Sequence, residues 1–114
     1  MKLNAIIAAI ALVSSPLSQA ADFNQEDLYA TWCLTGKSKT LDGERAPDKA
    51  SYTFTRDHRL QYDAGFFKQE GKFTIEGDKI RAGGLGNYRV VSIEGFEMVL
   101  NYGGFLFFTK GACS

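Results

Sequence analysis

Histidine, cysteine and surplus charge are all scarce in this chain of 114 residues, and each shortage removes a class of function. There is one histidine, His58, and there are two cysteines, Cys33 and Cys113. A zinc site needs clustered ligands, and one histidine with two well-separated cysteines has no such spacing. No metal and no cofactor is expected. Material for catalysis is also short. No Gly-x-Ser-x-Gly elbow occurs, and neither cysteine remains a free nucleophile if the two pair. His58 lies in the charged turn Arg56-Asp57-His58-Arg59 and reads as a solvated turn residue. Carboxylates such as Asp57, Asp63, Glu70, Glu76 and Asp78 fall mostly in turns, without the deep cleft that paired-carboxylate hydrolysis requires. The expectation is no catalytic residue and no enzyme.

The 13 basic and 13 acidic residues cancel, so no charge excess drives nucleic-acid binding through counterion release. No polybasic membrane anchor is present either. The longest apolar run, residues 5–13, is too short to cross a bilayer. Its context explains it. Met1-Lys2 precedes it, and Ser18-Gln19-Ala20 follows with small residues one and three positions before a cut. Residues 1–20 therefore read as a secretory signal peptide, which leaves a single domain over residues 21–114. The expected address is periplasmic or secreted, without a stable membrane anchor. In such a compartment Cys33 and Cys113 can form a disulfide, the alternative being two free thiols.

What the chain has in quantity is aromatics (nine Phe, five Tyr and one Trp) and short apolar segments recurring about every ten residues. Gly- or Asp-bearing turns separate them. That rhythm predicts an all-β fold, a small antiparallel meander barrel or sandwich of about eight strands. The disulfide would link the first strand to the last. Residues 29–35 form the first strand candidate, and residues 37–49 read as a long mobile loop or a hairpin extension. One short helical turn fits residues 22–28.

Turn chemistry sets the expected registers. A three-residue turn centred on Asp57 pairs Phe54 with Leu60 and Tyr52 with Tyr62. Gly77-Asp78 pairs Ile75 with Ile80 and Phe73 with Ala82. Glu94-Gly95 pairs Ile93 with Phe96 and Val91 with Met98. Gly103-Gly104 pairs Tyr102 with Phe105 and Leu100 with Phe107.

These registers place Tyr88, Val90, Val99, Leu106 and Phe108 together on the outer face, with Glu97 opposite Lys110. Five adjacent apolar positions there suggest a protein-binding patch or a homodimer contact; the alternative is packing beneath the N-terminal segment or the long loop. Arg89 falls on the inner face, where a charge is costly unless paired or near an opening. With Tyr102 it is a candidate for binding an anionic ligand in a barrel mouth; the alternatives are a strand-end position from which it snorkels to water, or a turn one residue longer. Phe66-Phe67 beside Gly65 reads as a rim that inserts into a partner, or as one inward ring and one edge cover. The cluster Gly83-Gly84-Leu85-Gly86 lacks the Lys-Ser/Thr of a phosphate loop and reads as a wide turn or bulge. Alternation counted from Trp32 and from Phe105 sets the two cysteines on opposite faces, which requires a bulge at Gly111 or a wrong register in one terminal strand.

The segment Leu28-Tyr29-Ala30-Thr31-Trp32-Cys33, followed by a meander, resembles the start of lipocalin-type (calycin) small barrels. Those open with a helical turn and Gly-x-Trp, and Ala30 stands here in the place of that glycine. The resemblance implies an eight-stranded barrel whose base is closed by Trp32. Size and address also resemble small periplasmic inhibitors and immunity proteins. The function expected is an exported, non-enzymatic protein that recognises another protein. The alternative is a lipocalin-like carrier of a small apolar or anionic ligand.

Overall fold

A computed structural model describes residues 23–113, so residues 1–20, where a signal peptide is expected, lie outside the described residues. A four-residue helix α1 (Gln25–Leu28) begins the described chain, its first turn capped by the Asn24 side chain accepting from the Glu26 amide. Nine antiparallel strands follow: β1 (Thr31–Ser38), β2 (Ala46–Phe54), β3 (Arg59–Asp63), β4 (Lys68–Lys72), β5 (Thr74–Glu76), β6 (Lys79–Arg81), β7 (Asn87–Glu94), β8 (Glu97–Asn101) and β9 (Phe105–Lys110). A short 3-10 turn, Gly83–Leu85, separates β6 from β7.

The sheet order is β4-β3-β2-β1-β9-β8-β7-β6-β5. Every strand thus pairs with its neighbours in sequence, and β9 returns to β1. The ring is interrupted only between β4 and β5. Those two are separated in sequence by the single residue Phe73, whose ring is buried. They act as one strand bent at Phe73, its first half pairing with β3 and its second with β6. With that pair counted as one, the expected eight strands appear. The fold is all-β and nearly closed into a barrel.

Side chains alternate in and out along the strands, and the inward set fills the barrel. Trp32, Phe54, Phe73, Leu28, Leu60, Ile80, Met98 and Leu100 are the largest fully buried residues. Trp32 lies at the base, where its indole N–H donates to the Leu28 carbonyl at 3.0 Å, and Lys110 approaches its ring. A buried indole needs such an acceptor, and α1 supplies it.

Two of the four expected registers are observed. Phe54 faces Leu60, Tyr52 faces Tyr62, and Ile75 faces Ile80. The first of these turns uses His58 as its left-handed residue, at φ 64°, to complete a three-residue hairpin. The other two registers are corrected. The β7–β8 turn is Gly95-Phe96 rather than Glu94-Gly95, so Glu94 faces Glu97 and Ile93 faces Met98. Gly95, at φ 63°, takes the first central position of the turn, where a type II′ hairpin requires glycine. A bulge between Val90 and Ser92 then brings Val90 opposite Leu100. The β8–β9 turn has three residues, Tyr102-Gly103-Gly104, so Leu100 faces Leu106 and Met98 faces Phe108. Glu97 faces Thr109, not Lys110.

The corrected β9 register also resolves the cysteine parity. Leu106 and Phe108 point inward and Phe107 outward, so Cys113 belongs to the same outer side as Cys33. The two form a disulfide with Cα atoms 4.9 Å apart, tying β1 to the chain beyond β9. Residues 37–49 are largely a hairpin extension. Within them Arg45 lays its guanidinium 3.6 Å from the centre of the Phe107 ring, which covers that outward aromatic.

Candidate functional site

The register correction moves most of the expected docking patch indoors. Tyr88, Val90, Leu106 and Phe108 are buried core residues, and that burial takes them out of any docking role in the folded protein. Val99 alone of the five stays on the outer face, half-buried opposite Phe107. Arg89 moves the other way. It is exposed on the outer face, between Lys79 of β6 and Asn101 of β8. The cost of burying its charge therefore does not arise.

In a meander, strand direction assigns each connection to one of two ends. Helix α1, the β2–β3 turn, the β7–β8 turn and the residues after Lys110 share the first end. The second end carries the connections at residues 39–45, 64–67, 82–86 and 102–104. Among the described residues five large apolar side chains are exposed: Leu41, Phe66, Phe67, Phe96 and Tyr102. Four of them stand on the second end, spread over three of its four connections, and Phe66 is 95 % exposed. Only Phe96 belongs to the first.

A chain of aromatic rings joins two of those connections through the barrel. Phe67 lies 6.1 Å from Tyr62, Tyr62 5.1 Å from Tyr52, Tyr52 6.3 Å from Tyr88, and Tyr88 4.9 Å from Tyr102, centre to centre. Phe108 joins the cluster edge-on to Tyr52 at 5.0 Å. The Tyr88 hydroxyl donates to the Leu85 carbonyl. Burial pushes the Tyr52 phenol well above the ordinary tyrosine range, reinforced by its tyrosine neighbours and Asp48. Burial also pushes Tyr88 up, to about 12. Both stay neutral and serve as packing groups at ordinary pH. Gly86, at φ 109°, permits the closest contact in this cluster, since a Cβ there would come within 2.8 Å of the Tyr102 ring.

Tyr102 divides two grooves. On one side is a groove of about 590 Å³ lined by Lys37, Lys39, Thr40, Glu44, Phe105 and Leu106 among others. On the other is one of about 350 Å³, lined by Lys79, Arg81, Asn87, Arg89 and Asn101 with Tyr88, Tyr102 and Gly103. Arg89 and Tyr102 thus do come together, on the outer wall of the barrel rather than inside its mouth.

At the first end His58 is not a free turn residue. It is half-buried, stacked on Phe73 at 4.9 Å, and its Nε2 lies 3.0 Å from the Tyr29 hydroxyl. It pins α1 to the β2–β3 turn. Among the described residues no group of three His, Cys, Asp or Glu side chains gathers to hold a metal ion. No family model matches this chain, and neither curated proteins nor solved structures gave a match.

The exposed rim at the second end was legible as far as Phe66-Phe67. Leu41 and Tyr102 joined it only once the strand directions were known.

Proposed function

We propose that this is an exported, lipocalin-like binding protein, periplasmic or secreted, that recognises another protein through the connections at the second end of its barrel. The observation that carries this reading is the clustering of Leu41, Phe66, Phe67 and Tyr102 on that end. Exposed aromatic side chains backed by a rigid scaffold are the usual anchors of protein interfaces. A lipid surface is the poorer match, because the balanced charge of the chain offers no attraction to anionic headgroups. The disulfide fits an oxidising compartment. An interior packed with Trp32, Tyr52, Phe54, Phe73 and Phe108 favours recognition by the rim over carriage of a ligand inside the barrel.

Native mass spectrometry of the protein recovered from its source compartment tests this. The wild type is expected to retain one protein partner in fixed stoichiometry, and Phe66→Ser with Phe67→Ser to lose it while the protein stays folded. A partner held equally by the double variant would overturn the assignment of the rim, and a small molecule held in place of a protein would favour the carrier.

A further inference from the structure

The smaller groove beside Tyr102 has a composition unlike the rest of the surface. Three of its eight lining residues are cations, Lys79, Arg81 and Arg89, and none is a carboxylate. Asn87, Asn101 and the two tyrosines complete a lining rich in hydrogen-bond donors.

The sheet register makes this clustering costly. Lys79 and Arg89 are directly opposed across β6 and β7, where like charges repel, and Arg89 in turn faces Asn101. The chain supplies partial relief from outside the groove. Glu76 accepts from Arg81 Nε at 3.0 Å, and Asp78 lies 3.8 Å from the Lys79 amine. Arg89 has no ion pair among the described residues. A Glu at position 101 or 87 would have neutralised the row, and both positions hold Asn, which donates as well as accepts.

We infer that this groove, with Arg89 at its centre, binds a phosphate group. A dianionic oxyanion matches two opposed cations and can accept a bidentate pair of bonds from a guanidinium. Arg81 keeps its terminal nitrogens for the same purpose while Nε serves Glu76. Tyr102 and Asn101 also line the groove and bring further hydrogen-bond donors to the group. Free phosphate and a phosphate lipid headgroup share this chemistry of recognition, and the two arms of the test distinguish them. This inference stands apart from the proposed protein partner, because it uses a side wall and not the exposed rim aromatics.

The test is a titration of the folded, disulfide-bonded protein with inorganic phosphate, followed through the amide resonances of Asn87, Arg89, Asn101 and Gly103. A parallel arm measures co-sedimentation with phosphatidylcholine vesicles containing phosphatidic acid. Saturable shifts confined to those amides identify free phosphate as the ligand. Binding to the vesicles alone identifies a headgroup. In either case Arg89→Gln should weaken binding by about tenfold or more, the cost of one charge-assisted bidentate contact. Asn101→Asp, which gives Arg89 an internal partner, should do the same. Both positions lie on the outer face, so melting temperatures should hold. Binding in neither arm, or binding that Arg89→Gln leaves intact, overturns the site.

Discussion

The two ends of this barrel are built from the same materials and put to opposite uses. At the first end the aromatic groups are spent on closure. Trp32 bonds to α1, His58 stacks on Phe73 and holds Tyr29, and Phe54 meets Phe73 edge-on at 5.5 Å. At the second end the innermost rings, Tyr52 and Tyr88, are buried, while the outermost, Phe66, Phe67 and Tyr102, face solvent. A closed base makes the scaffold stiff, and a stiff scaffold lowers the entropy cost of presenting apolar side chains at the other end. The difference separates what holds the protein together from the rim proposed above to meet a partner.

That separation can be broken experimentally, and the strongest perturbations should all fall at the base. Replacing Cys33 and Cys113 by Ser removes a link spanning 80 residues of sequence. In the chain-entropy model that costs about 4–5 kcal/mol, read from urea unfolding of the variant against the oxidised parent. Trp32→Ala should cost roughly 3–5 kcal/mol by leaving a cavity and an unpaired Leu28 carbonyl. A variant that kept its urea midpoint would show that α1, not the indole, closes the base.

Alkaline pH should act on the barrel interior next. Tyr88 has its pKa raised from 10.0 to about 12, and Tyr52 is raised as well, so the folded state holds protons that the unfolded chain releases. Their contribution to stability is full below pH 10 and is lost as pH climbs through the folded values. Tyrosinate absorbance followed against pH should therefore show Tyr52 and Tyr88 ionising only together with unfolding. Ionisation of Tyr52 and Tyr88 without loss of structure would contradict the packing of the cluster. The smallest effect on stability belongs to the rim: Phe66→Ser should shift the unfolding free energy by less than about 0.5 kcal/mol. A larger loss would return Phe66 to the core and remove it from the docking surface.

How far the sequence could be read depended on whether alternation was unambiguous. In β2 and β3, Tyr52, Phe54, Leu60 and Tyr62 alternate with polar residues, so only one pairing buries them. In β9 the run Phe105-Leu106-Phe107-Phe108 is apolar on both faces, and a slip of one residue leaves the pattern looking equally good. The outward Phe107 owes its cover to Arg45, a residue distant in sequence, and no local pattern reveals that. The bulge between Val90 and Ser92, which no local pattern announced, carried Arg89 to the wrong side of the wall, and with the β9 slip it made core residues look like a docking patch. Tyr102 was singled out as a candidate, yet its position between two grooves depends on a three-residue turn that the Gly103-Gly104 pair disguised. Turn type, more than strand propensity, decided which candidate sites survived.

The seam between β4 and β5 has a consequence for how molecules of this protein behave in a crowd. An interrupted barrel leaves two strand edges with unpaired backbone groups, a template on which other chains can polymerise. Here one edge is the strand Lys68-Gln69-Glu70-Gly71-Lys72, whose side chains are mostly charged and exposed, and the other is only three residues long. The turn Gly83–Leu85 packs against β4 and shields part of its length. An approaching strand would have to desolvate lysines and displace that turn before gaining its first hydrogen bonds. The gap that keeps the barrel from closing is thereby guarded against amyloid-like growth.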